Sequence, residues 1–158
     1  MTTPSSSSPV LIRRAQLSDS TAIAPLFDAY RQFYEQAPDL AGAQRFIHAR
    51  LSQQESVILV ASDSAGVLLG FCQLYPSFCS VEAQPIYTLY DFFVSPQARR
   101  CGAGRALLQA AHEHAAREGY ARMDLTTARD NLAAQALYES LGWVQDRVFL
   151  SYNLRVKG

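Results

Sequence analysis

The apolar positions change period along the chain, and each change marks an element. Residues 10–14 read as a first strand; residues 21–35 then place 23, 26, 27, 30 and 34 on one side of a helix, after capping oxygens at Ser18, Asp19 and Ser20. Pro38 breaks that pattern, and 43–51 carries Phe46, Ile47 and Leu51 at helical spacing. Residues 56–62 and 67–75 are apolar runs on either side of Asp63-Ser-Ala-Gly66, which predicts an antiparallel hairpin. A loop with Pro76, Ser77 and Ser80 leads through Ile86 to an aromatic and β-branched run at 89–94, expected as a central strand buried on both faces and stopped by Pro96.

Beyond Gly104, positions 107, 108, 111 and 115 share a helical face, while Arg105, Gln109, His112 and Glu113 point elsewhere. Gly119 ends that helix, and 122–127 reads as a further strand, so strand, helix and strand predict a parallel crossover. Residues 131–141 form a last helix, with Ala133, Ala136, Leu137 and Leu141 expected inward; 143–144 and 149–156 supply final strands.

A chain of 158 residues with 49% hydrophobic content suits one domain, expected over 10–158, behind a polar, disordered tail at 1–9. That tail has neither the basic start nor the apolar run of a signal or span. Formal net charge is zero and charge runs are absent, which argues against nucleic acid or a membrane as partner. Cys72, Cys79 and Cys101 lack metal-type spacing and form no disulfide framework, so a reducing cytoplasm and no metal are expected.

The chemistry concentrates between strand and helix, at Arg99-Arg100-Cys101-Gly102-Ala103-Gly104-Arg105. Cations at a helix start oppose its dipole, and two glycines open the main chain to a ligand; exposed amides and guanidinium groups together make a diphosphate cradle. A third glycine of the dinucleotide fingerprint would fall at 107, where Leu107 stands, and the lysine of a P-loop is missing.

This stretch resembles the acetyl-CoA-binding motif of the GNAT N-acetyltransferase superfamily, and Asp91-Phe92-Phe93-Val94 resembles its polyamine and histone-type branch. The resemblance implies a mixed α/β GNAT fold: a mostly antiparallel twisted sheet, a βαβ crossover and about four helices. It implies that acetyl-CoA lies between two splayed strands, touching main chain at Phe92, Phe93 and Val94. The diphosphate would lie on Arg99, Arg100, Cys101, Gly102, Ala103, Gly104 and Arg105, with Thr126 and Asn131 along the arm. Tyr138 would protonate the departing thiolate, a transfer for which a phenol is chemically suited.

The expected reaction is direct transfer of an acetyl group to a primary amine: a polyamine, a lysine-like small molecule or a protein lysine. The alternatives are a non-catalytic acyl-CoA sensor, or an acetyltransferase for aminoglycosides or protein N-termini. The amine needs a proton acceptor, and where the polyamine branch often has glutamate this chain has Tyr90. Asp91 is the neighbouring candidate, although strict alternation turns it to the opposite sheet face unless a bulge redirects it; Glu82 and a water route stay open. Tyr30, Tyr34 and Tyr90 are the candidate substrate-binding side chains, with Asp28, Glu35 and Asp39 near the mouth. His48, His112 and His114 are expected to pack or face solvent, Cys101 to contribute backbone only, and a homodimer through the terminal strand is possible.

Overall fold

The computed structural model describes residues 8–158; most of the expected tail at 1–9 lies outside them. The chain divides into two compact units, one ending at Thr126 and the other spanning Thr127–Gly158.

In the first unit the strands are β1 (Leu11–Arg14), β2 (Val57–Ser62), β3 (Leu68–Cys79), β4 (Gln84–Val94) and β5 (Arg122–Asp124). They form one open sheet in the order β1-β2-β3-β4-β5. The first three pairings are antiparallel, and β4 with β5 is parallel, joined by a helix, as the crossover pattern predicts. The helices are α1 (Ser20–Phe33), α2 (Leu40–Ser52) and α3 (Ala103–Arg117).

Every residue of β2 is buried, the signature of a strand covered on both faces. Ile58 and Val60 join Ile23, Phe27, Ile47, Phe71 and Phe93 in a core beneath α1 and α2. Alternation sends Leu59 to the other face, where α3 packs on β2, β3 and β4 with Leu107, Leu108, Ala111 and Ala115 buried.

Helix α2 begins three residues earlier than its apolar spacing suggests. Asp39 caps it, its carboxylate accepting the Gly42 amide at 2.8 Å. A Cβ at Gly42 would run into that carboxylate, so a side chain there would displace the cap.

The second unit contains α4 (Leu132–Ser140), followed by Gly142 at φ +90°. Two expectations fail here. Residues 143–158 form no strand, because no ladder among the described residues includes them, and an isolated strand has no stability of its own. In α4, Ala133 and Ala136 are exposed and Tyr138 is the buried residue, so the inward face is centred on the tyrosine rather than on the alanines. No helix among the described residues is long and apolar enough to cross a membrane.

Candidate active site

The site starts from a slip in register. Gln73 of β3 pairs with Asp91 of β4, yet Leu74 pairs with Leu89, so Tyr90 is the extra residue of a β-bulge. Upstream of it, Tyr87 turns toward α3 and meets His114. Downstream, Phe93 turns the other way and packs on Tyr30 of α1, although strict alternation would put 87 and 93 on one face. The bulge changes the face, and Asp91 changes with it.

Asp91 is 4% exposed and lines a pocket of about 360 Å³. The walls are aromatic: Phe27 and Tyr30 from α1, Phe46 from α2, Tyr75 from β3 and Tyr90 from the bulge, with Arg31, Asp39 and Gly42 completing the lining. The Tyr30 hydroxyl donates to the Tyr90 carbonyl at 3.0 Å, fixing α1 against the bulge. Two of the three expected substrate residues, Tyr30 and Tyr90, therefore line one cavity. Tyr34 stands behind them, its ring edge-on to Tyr30 at 5.2 Å.

Burial pushes the Asp91 carboxyl above the usual carboxylate range, while donors at Gln73 and Tyr30 draw it back. The same burial, with Asp91 nearby, raises the phenols of Tyr30, Tyr34 and Tyr75, which keeps these hydroxyls protonated. Behind Asp91 lie two residues that sequence reasoning missed. Gln73, fully buried, donates from Nε2 to Asp91 Oδ2, and its Oε1 accepts from Ser56 Oγ at 2.6 Å. The signal was present: Gln73 is the one polar residue within the apolar stretch 71–74.

Two other expected acids serve elsewhere. Asp28 is buried and spent on structure, paired with Arg31 at 2.8 Å and accepting the Asp39 amide at 3.1 Å. Glu82 sits in the β3–β4 turn, paired with Arg122 at 3.1 Å. It lies at the opposite end of β4 from Asp91, roughly 25 Å along an extended strand.

At the other end of β4, Arg99, Arg100, Gly102 and Arg105 are exposed before and along the first turn of α3. Arg100 has φ +68° and Gly102 φ +84°, so the chain turns twice through the left-handed region just where the first helical amides of Ala103 and Gly104 lack intrahelical acceptors. A Cβ at Gly102 would meet nothing within 4 Å, which leaves the main chain open to a ligand. Cys101 donates its thiol to the Ala98 carbonyl at 2.6 Å, and Arg99 Nε donates to the Val94 carbonyl at 3.4 Å.

The β4–β5 ladder ends at Thr88 and Asp124, while β4 continues to Val94. Phe92 and Val94 are half-buried; the side chain of Phe93 belongs to the core, so only its main chain is available to a ligand. Thr126 lies exposed, two residues past β5.

In the second unit Asn131 caps α4, its Oδ1 accepting the Ala134 amide at 3.3 Å. Tyr138 is 8% exposed, with its ring 5.9 Å from Trp143. His114 is buried against the Tyr87 hydroxyl at 3.3 Å, a packing role, and its pKa is lowered mainly by burial.

The profile of the acetyltransferase (GNAT) family matches residues 23–143, and this chain belongs to that family. An uncharacterized N-acetyltransferase, YhfO, of Bacillus subtilis (strain 168) is 50% identical over 145 residues, 92% of this chain and 97% of that protein. A crystal structure of a probable acetyltransferase is 39% identical, covers 94% of this chain and 99% of its own, and superposes with a TM-score of 0.87. The ribosomal-protein-alanine N-acetyltransferase from Brucella melitensis biovar Abortus 2308, 22% identical with a TM-score of 0.78 over 94% of this chain and all of its own, shares the fold. The chain is an acetyltransferase with the mixed α/β fold of its family.

Proposed function

We propose that this acetyltransferase moves the acetyl group of acetyl-CoA to a primary amine seated in the aromatic pocket, with Asp91 as proton acceptor. The observation that carries the reading is the bulge at Tyr90, which delivers a buried carboxylate into a cavity walled by five aromatic rings. An alkylammonium with a pKa near 10.4 is neutral in roughly 1 part in 2,500 at pH 7, a cost of about 4.6 kcal/mol. Aromatic faces attract the cation, and a carboxylate above its usual range is a stronger base once the amine docks.

The glycine loop fits the coenzyme's diphosphate: left-handed turns at Arg100 and Gly102, open space over Gly102, and exposed guanidinium groups. When bound, acetyl-CoA supplies an activated thioester. Arg99, Arg100 and Arg105 hold its charge, and Tyr138 holds a proton for the departing sulfur. Direct attack by the amine is favoured over an acyl-cysteine route, since burial raises the Cys72 thiol to about 12 and Cys101 is turned to a carbonyl.

The acceptor is a polyamine, a lysine-like small molecule or a protein lysine. The test is release of free coenzyme A thiol from acetyl-CoA across a panel of amines. Turnover with spermidine or lysine derivatives is expected. Turnover confined to aminoglycosides or protein N-termini would overturn this acceptor class, and binding of acetyl-CoA without thiol release for any amine would indicate a sensor.

A further inference from the structure

We propose that Gln73, held in one orientation by Ser56, is a positioning residue that decides which oxygen of Asp91 takes the proton from the acceptor amine. This rests on the role of Asp91 proposed above.

A glutamine amide has two ends of similar shape and opposite hydrogen-bonding character. An ionised carboxylate only accepts, so Gln73 must turn its amino end to Asp91, which sends its carbonyl to Ser56 and makes the hydroxyl the donor. The observed pair, Ser56 Oγ to Gln73 Oε1 at 2.6 Å and Gln73 Nε2 to Asp91 Oδ2, is that arrangement. All three side chains are buried, Gln73 completely, so water is a poor substitute for either bond. With Oδ2 engaged by Gln73, we assign the incoming proton to Oδ1, the oxygen that Gln73 leaves free. The amide cannot carry that proton onward, so it returns through the pocket.

The other groups around Asp91 do little to replace this donor. Burial keeps Tyr30 of α1, Tyr34 just past its end and Tyr75 of β3 as neutral phenols and Cys72, on the opposite face of β3, as a neutral thiol. Tyr30 makes a smaller hydrogen-bonding contribution to Asp91 than Gln73 does, and Tyr90 of β4 lines the same pocket. Among the charged residues lining the pocket, Arg31 is paired with Asp28, and Asp39 is an acid engaged in capping α2. The Gln73 amide is therefore the main contact favouring the ionised carboxylate against the cost of burial.

The test compares wild type with Gln73→Met, which keeps the shape and removes the donor, and with Ser56→Ala, which frees the amide to flip. Carbon-13 NMR of labelled aspartate follows the Asp91 carboxyl directly, assigned with Asp91→Asn. The expected result is a midpoint raised by roughly one pH unit in Gln73→Met, a tenfold change in the proton equilibrium, and by less in Ser56→Ala. The acid limb of kcat/KM should move with it, with activity recovered at higher pH. A midpoint unchanged in both variants overturns the inference; Ser56→Ala carries the comparison alone if Gln73→Met does not fold. Asp91→Asn with wild-type rates would instead defeat the proposed base while leaving the NMR comparison to decide the role of Gln73.

Discussion

Gln73 and Asp91 stand opposite each other in the β3–β4 ladder, and the next pair is Leu74 with Leu89, so Tyr90 is spare. The spare residue contributes a wall to the pocket at 67% exposure, edge-on to Tyr75 at 5.8 Å. Removing its ring leaves the backbone bulge in place and costs one face for a cation. Tyr90→Ala is expected to raise the KM for the amine about fivefold, the equivalent of about 1 kcal/mol, with kcat within twofold. Steady-state kinetics with saturating acetyl-CoA checks it.

Asp91 also leaves a mark on stability. Its pKa is raised in the folded protein, so the native state holds this proton more tightly than the unfolded chain does. The stabilising contribution is present below the unfolded value and is lost as pH rises through the folded value. At neutral pH the protein therefore carries an unfavourable buried charge. Asp91→Asn should raise Tm at pH 7 to 8 and lose that advantage near pH 3, measured by thermal unfolding across pH.

Gly66 and Gly102 have nearly the same backbone, φ +85° and +84°, and neither has an atom within 4 Å of an added Cβ. A side chain at either position costs about 1–2 kcal/mol of backbone strain. Gly66→Ala and Gly102→Ala should therefore destabilise the protein alike in chemical denaturation. Only Gly102→Ala should raise the KM for acetyl-CoA, because only that loop is assigned to the diphosphate. Equal KM values in the two variants would move the coenzyme elsewhere.

At Gly70 space, not conformation, is the constraint. A Cβ there would lie 2.6 Å from the Phe93 carbonyl oxygen, pressing β3 away from β4 close to Asp91. Gly70→Ala is expected to cost about 1–3 kcal/mol, with the loss visible in urea midpoints.

Periodicity located α1 and α3 because each has one apolar face and a polar remainder, and the hairpin showed as two apolar runs on either side of turn residues. It missed the first turn of α2, where the Asp39 cap rather than an apolar stripe sets the boundary. The bulge was open as a way to redirect Asp91, but the sequence did not place it: in a run as apolar as 86–94, no break in alternation marks which residue is inserted.

The end of the chain shows the opposite failure. Residues 149–156 carry the alternation of a strand, but Leu150, Tyr152, Leu154 and Val156 are each at least 77% exposed. Alternation describes which side chains a strand would bury; a partner's backbone groups are what make it a strand. The glycine loop was legible because positive φ selects glycine, although Arg100 adopts the same region without that signal.

The most direct test of the proton-acceptor role is the pH profile of kcat/KM for wild type and Asp91→Asn with one primary amine that the enzyme acetylates. Loss of a general base costs typically 10²–10⁴-fold, so the variant should fall by about 100-fold or more near neutral pH and lose the acid limb. A variant that tracks wild type at every pH would contradict it.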